Sequence, residues 1–175
     1  MINYNKLKKE IEDMVKDSSA NISISFYDLD EDENFAINGE KKVPSASMIK
    51  LLIMLKLLEK VERKELDLEE RIKIQDYKKV DGSGILKELS SNHSFSIREL
   101  LTLMIIVSDN FATNILIEIL GMDEVNELGE KLGLLNTCLQ RKMMDLDAKK
   151  KGLDNYTSSE DLLKILKMIY DKTFL

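Results

Sequence analysis

Residues 47–62, SMIKLLIMLKLLEKVE, constrain the fold more than any other stretch of this chain. Apolar side chains occupy nearly every face of the segment. A helix built from it has no side to offer to water and must lie at the centre of a bundle. It opens with Ser47 and carries Lys50 three positions on. The other elements are therefore read as what surrounds this helix.

Leu7, Ile11, Met14 and Val15 recur at helical spacing, which predicts an amphipathic helix over 4–17. In NISISFYDLD, Ile22, Ile24 and Phe26 alternate with serine and tyrosine, a strand pattern. The acidic DLDEDEN reads as a solvated hairpin turn and FAING as the return strand. Ser96 with Glu99 three residues later is a capping box, opening a helix through LLTLMII. A further helix runs from about Phe111 to Leu120 and ends at Gly121, and another stops near Gly133. Thr157 with Glu160 repeats the capping-box pattern before the last helix. DAKKKG reads as a solvated turn, and the methionines mostly as core. Only two strands are evident, and an isolated hairpin is marginal in water.

Composition excludes several functions. The net charge of −6, without a basic stripe, argues against nucleic acid. Cys138 is the one cysteine, so no intrachain disulfide can form and a zinc cluster is implausible. The one histidine, His93, sits in a polar loop and reads as solvated; a Ser-His-Asp triad would depend on it. No metal and no cofactor are expected. No run approaches a charge-free membrane span, and MINYNKLKKEIEDMVKD lacks the apolar centre of a signal peptide. As it stands, the sequence reads as cytoplasmic.

Ser47 and Lys50 share a helix face at a spacing of three. A serine hydroxyl needs a base to become a nucleophile, and a neutral lysine can serve. Keeping that lysine neutral means drawing its pKa from about 10.4 to near 7, an environmental cost of roughly 4–5 kcal/mol. Burial in LLIMLKLL can supply it. Taken alone the pair is weak, since S-x-x-K occurs by chance about once in a chain of this size. Ser108-Asp109-Asn110, between two helical runs, is rarer. It reads as a helix cap, as a polar tip facing a cleft, or as both, with Asp109 capping.

S-x-x-K followed by S-D-N makes the chain resemble the class A β-lactamase and penicillin-binding protein family of serine hydrolases. The similarity runs through GSGIL at 82–86 and SIRELLTLMIIVSDNFATNIL, covering nearly the whole chain as the family's N-terminal part. The resemblance implies an α+β fold, here mainly the helical region (43–175) with a helix and hairpin (1–42) from the sheet region. It implies that Ser47 is acylated by a β-lactam or a related amide or ester. Lys50 would act as base or relay, and Ser108 would pass a proton toward the leaving nitrogen. Asn110 would bind the substrate amide and steady Lys50, and Ser83 would line the cleft edge. GSGIL reads equally well as a Gly-rich turn.

Three departures qualify what is expected. No K-T-G occurs, and in the family its strand supplies the second oxyanion donor, so the chain reads as a single incomplete domain. A glutamate two residues after an arginine activates the deacylating water in class A enzymes; here Arg141 is followed at that spacing by Met143. Asp145 and Asp147 are the carboxylates left to substitute, while Arg141 reads best as a loop pin paired with Asp154. Finally, family members are often secreted, whereas no leader is evident. The expected partner is a small-molecule substrate, with no nucleic acid and no membrane. Competing readings are an inactive fragment that self-associates or is complemented by a further segment, a D-Ala-D-Ala peptidase-like enzyme or esterase, and an all-helical scaffold with two accidental caps.

Overall fold

The central helix is where its composition puts it. In the computed structural model, which describes residues 2–174, Ser47 lies in a 3₁₀ turn (Ala46–Met48) that runs into α2 (Ile49–Glu62). Seven residues of α2 are buried, among them Leu52, Ile53, Leu55 and Leu57. Each such aliphatic side chain contributes about 1.5–3 kcal/mol of burial. The covering helices are α3 (Ile97–Ile106), α4 (Asn110–Leu120) and α5 (Met122–Lys131). Phe111, Ile115, Met104 and Leu100 fill the space between them.

The N-terminal segment packs outside this bundle. Helix α1 (Tyr4–Lys16) starts at Asn3, whose side chain accepts from the Lys6 N–H at 3.0 Å, and it buries no residue fully. Strands β1 (Ile24–Tyr27) and β2 (Asn34–Ile37) form the expected antiparallel hairpin, with Phe26 opposite Phe35. Tyr4, Phe26 and Phe35 make a small aromatic stack, with ring centroids 6.1 and 5.0 Å apart. The last helix, α7 (Ser159–Tyr170), lies against β1, and the Ser159 hydroxyl meets those of Ser23 and Ser25 at 2.7 and 2.9 Å. Among the described residues no helix is long and apolar enough to cross a membrane.

Several expectations are corrected. The cap of α7 is Ser158, whose hydroxyl accepts from the Asp161 N–H, not Thr157. Thr157 belongs to β6 (Tyr156–Thr157), paired with β3 (Val43–Pro44), so its backbone is already in a ladder. A third short pair joins β4 (Arg71–Lys73) to β5 (Ser94–Ser96). Neither pair is legible in the sequence, because two or three residues are too few to show alternation. DAKKKG is not a turn alone: Leu146–Lys150 form the short helix α6, capped by Asp145. Among the methionines, Met104 and Met143 are core, but Met14 is 81% exposed.

Candidate active site

The Ser96–Glu99 capping box carries both of its reciprocal bonds and sets the start of α3. Helix α3 then delivers Ser108-Asp109-Asn110 to the start of α2. Asp109 is 1% exposed and does two things. Its Oδ1 caps α4, accepting from the Phe111 and Ala112 N–H groups, both at 2.9 Å. Its Oδ2 accepts from Ile85 and Leu86 N–H at 2.7 and 2.8 Å, fastening the GSGIL loop. The loop approaches so closely that a Cβ on Gly84, at φ +109°, would lie 2.2 Å from the Asp109 Cγ. Only glycine fits there.

With the tip fixed, four side chains converge. The Lys50 Nζ lies 3.3 Å from Ser47 Oγ, 2.9 Å from Ser108 Oγ, 2.7 Å from the Ser108 carbonyl and 3.1 Å from Asn110 Oδ1. Ser108 Oγ lies 2.8 Å from Ser47 Oγ. Ser47 is exposed, whereas Lys50 is only 3% exposed. Burial pulls the Lys50 pKa down to about 8, against the opposing pull of the Asp109 carboxylate. Ala46 and Ser108, at φ +44° and +54°, both take the left-handed conformation that ordinary side chains disfavour. Such strain costs on the order of 1–3 kcal/mol per residue and gathers where geometry is over-determined.

The proton inventory limits what this cluster can do. A neutral amine has two N–H donors and one lone pair, and a carbonyl or carboxamide oxygen can only accept. The Ser108 carbonyl and Asn110 Oδ1 therefore take the two N–H groups. The lone pair is left to face a hydroxyl, either Ser47 directly or Ser108 as an intermediary. Asn110 Nδ2 donates to the Asp81 carbonyl at 3.4 Å. Ser83 contributes its carbonyl, which accepts the Asn110 N–H at 2.9 Å, while the residue itself is exposed.

The other sequence-predicted residues make no hydrogen bond to this group. Arg141 pins the neck of its loop by pairing with Asp154 at 2.7 Å. Burial pushes the Asp154 carboxyl up, but hydrogen bonds from Arg141 and the Asn155 N–H, with the charges of Arg141 and Lys149, outweigh it and hold the group below its ordinary range. Met143 is buried, its backbone held at both polar atoms by Asn114 at 2.7 and 3.0 Å. Asp145 accepts from the Ala148 N–H to cap α6, and Asp147 lies exposed beside Lys150. Neither aspartate hydrogen-bonds to the Ser47 cluster, so the structure does not bring them to it. The second grip of Asp109 and the hold of the Ser108 carbonyl on Lys50 are not visible in the sequence. Both are long-range backbone contacts that leave no trace in spacing.

Known structures share this architecture. A β-lactamase from Sphaerobacter thermophilus DSM 20745 superposes with a TM-score of 0.86 at 24% identity, over 99% of this chain and 64% of that one. The fold is that of β-lactamase and transpeptidase-like serine hydrolases. A point mutant of PBP-A, solved as an acyl-enzyme complex with penicillin G, gives 0.86 at 27% identity, over 98% of this chain and 64% of that one. In sequence, the extended-spectrum β-lactamase PER-1 of Pseudomonas aeruginosa is 26% identical over 174 residues, 97% of this chain and 56% of that protein. The model of the beta-lactamase enzyme family matches residues 6–175. The chain belongs to that family. It spans just over half the length of PER-1 and less than two thirds of these solved neighbours.

Proposed function

We propose that the protein forms an acyl-enzyme at Ser47 with a β-lactam or a related strained amide or ester, and releases it slowly. The observation that carries this reading is the contact of one buried, low-pKa lysine with both serine hydroxyls. At pH 7, a pKa of about 8 leaves roughly one Lys50 in ten neutral. That amine takes the Ser47 hydroxyl proton, directly or through Ser108. The Ser47 oxygen bonds to the carbonyl carbon, the C–N bond breaks, and the proton returns through Ser108 to the departing nitrogen. Asn110 Nδ2 would give its second N–H to the substrate's amide side chain.

Release needs an activated water. A thioether accepts no proton, and Met143 occupies the position that the family resemblance gives to a carboxylate. The ester should therefore outlive its formation. These 175 residues contain no K-T-G, so their own acylation should be slow. A missing oxyanion donor costs about 10²–10³ in rate.

Fluorescent penicillin and intact mass measurement test the reading. The wild type should gain the mass of one whole penicillin, and Ser47→Ala should gain none. Equal labelling of the two proteins rejects Ser47 as the nucleophile. A second reading, association between chains, is favoured by β1, which pairs with β2 alone among the described residues. Light scattering at the monomer mass would remove it.

A further inference from the structure

Asn155 is 2% exposed, yet all of its polar atoms are engaged. Its Oδ1 accepts from the main-chain N–H groups of Gln140 and Arg141 at 2.8 and 3.0 Å, and its Nδ2 donates to the Arg141 carbonyl at 3.0 Å. Its own N–H donates to Asp154 Oδ1 at 2.9 Å. Its carbonyl accepts the Ser45 N–H at 2.8 Å. One residue thus grips the neck of the 142–153 loop with its side chain and the approach to Ser47 with its backbone.

Val43 and Pro44 are paired with Thr157 and Tyr156, and past Pro44 the hold on residue 155 is the Ser45 N–H. Pro44 has no N–H to give. The first backbone donor after Val43 is therefore that of Ser45, and Asn155 receives it. Ser45 is buried and its carbonyl accepts the Met48 N–H at 2.9 Å, closing a turn around Ser47. Between them stands Ala46 in its strained left-handed conformation. A strained turn keeps its shape only while its ends are held.

We infer that Asn155 is a positioning residue that couples the neck of the 142–153 loop to the turn presenting Ser47. Its effect on acylation rests on the proposed role of Ser47; the coupling itself does not. Asn155 makes no hydrogen bond to Lys50, so it sets where the nucleophile stands and not when the base is neutral. A displacement of about 1 Å at a reacting atom costs about 10²-fold in rate, and partial loosening of the turn should cost about tenfold.

The test compares the whole 175-residue wild type with Asn155→Ala and Asn155→Asp. Alanine loses every side-chain bond. Aspartate keeps an acceptor for the Gln140 and Arg141 N–H groups, but its second oxygen, which only accepts, replaces Nδ2 against the Arg141 carbonyl. Hydrogen exchange across 43–48 should rise about tenfold or more in the alanine variant while α3 and α4 keep their protection. Its maximal acylation rate by benzylpenicillin should fall about tenfold, with the pH midpoint and half-saturating concentration unmoved. Aspartate, which keeps half of the side-chain hold, should fall between alanine and wild type on both readouts, with exchange at 43–48 measurably raised. If alanine does not fold, that residual rise in the aspartate variant decides. Unchanged exchange at 43–48, or equal loosening throughout the chain, overturns the coupling. A shifted pH midpoint overturns the positioning role. A wild type that benzylpenicillin never acylates, whose 43–48 exchange still responds, would support the coupling and sink the acylation chemistry.

Discussion

Lys50, in the first turn of α2, and Lys56, at its middle, are almost equally hidden from solvent, yet their pKa values move in opposite directions. Lys50 is 3% exposed and Lys56 4%. Around Lys56, burial lowers the pKa, but hydrogen bonds and charge from Glu59 and Glu124 outweigh it and leave the pKa raised. Those carboxylates lie 2.9 and 3.4 Å away. Around Lys50 the close partners are two hydroxyls, a carbonyl and a carboxamide, and the pKa falls to about 8. Burial alone does not make a base. Two things differ: the Lys50 amine is the more deeply enclosed, and its hydrogen-bond partners are neutral dipoles where those of Lys56 are carboxylates.

The largest effect expected from breaking this contrast is on rate. Lys50→Met should reduce acylation of Ser47 by about 10²–10⁴, the usual worth of a positioned general base. Lys56→Met should leave acylation within a few-fold of wild type and lower stability by about 1–3 kcal/mol, since it withdraws a hydrogen bond from two carboxylates. Stopped-flow labelling and chemical denaturation of the same two variants separate these outcomes. A Lys56→Met protein as unreactive as Lys50→Met would erase the distinction.

A smaller change sharpens it. Asn110→Asp puts a carboxylate where the carboxamide oxygen now lies, 3.1 Å from Nζ. Lys50 should then resemble Lys56, its pKa rising by about 1–3 pH units. At pH 7 acylation should fall by roughly tenfold or more and recover as pH is raised. The pH–rate curve of the variant measures this, and an unmoved curve would show that Asn110 does not govern the lysine. The smallest effect belongs to the exposed lysines of α1. Lys6 faces Glu10 at 3.7 Å with both side chains largely in water. Lys6→Ala should change stability by less than about 0.5 kcal/mol in a denaturation curve.

The same physics decides what the sequence could reveal. Helices are legible because burial repeats along them; α2 is plain from its composition, and α3 from Ser96 and Glu99. The β3–β6 and β4–β5 pairs are not, because their partners are distant in sequence and each strand is shorter than one period of a recognisable pattern. Thr157 reads as a cap because a hydroxyl before a helix looks the same whether its backbone is free or laddered to Val43. At the site, the spacing of Ser47 and Lys50 places them on one face. Only the resemblance to a known family brings 108–110 beside them. Nothing local indicates that Asp109 fastens Ile85 and Leu86, or that Asn155 holds Ser45.

The pH dependence of Ser47 acylation tests the central claim most directly. With Lys50 as the base at a pKa of about 8, the neutral amine grows as pH rises. The single-turnover rate with benzylpenicillin should climb about tenfold per pH unit below the midpoint, then level off above about pH 8 to 9. A rate that is flat or falling between about pH 6.5 and 8, or that keeps its wild-type size in Lys50→Met, would contradict it.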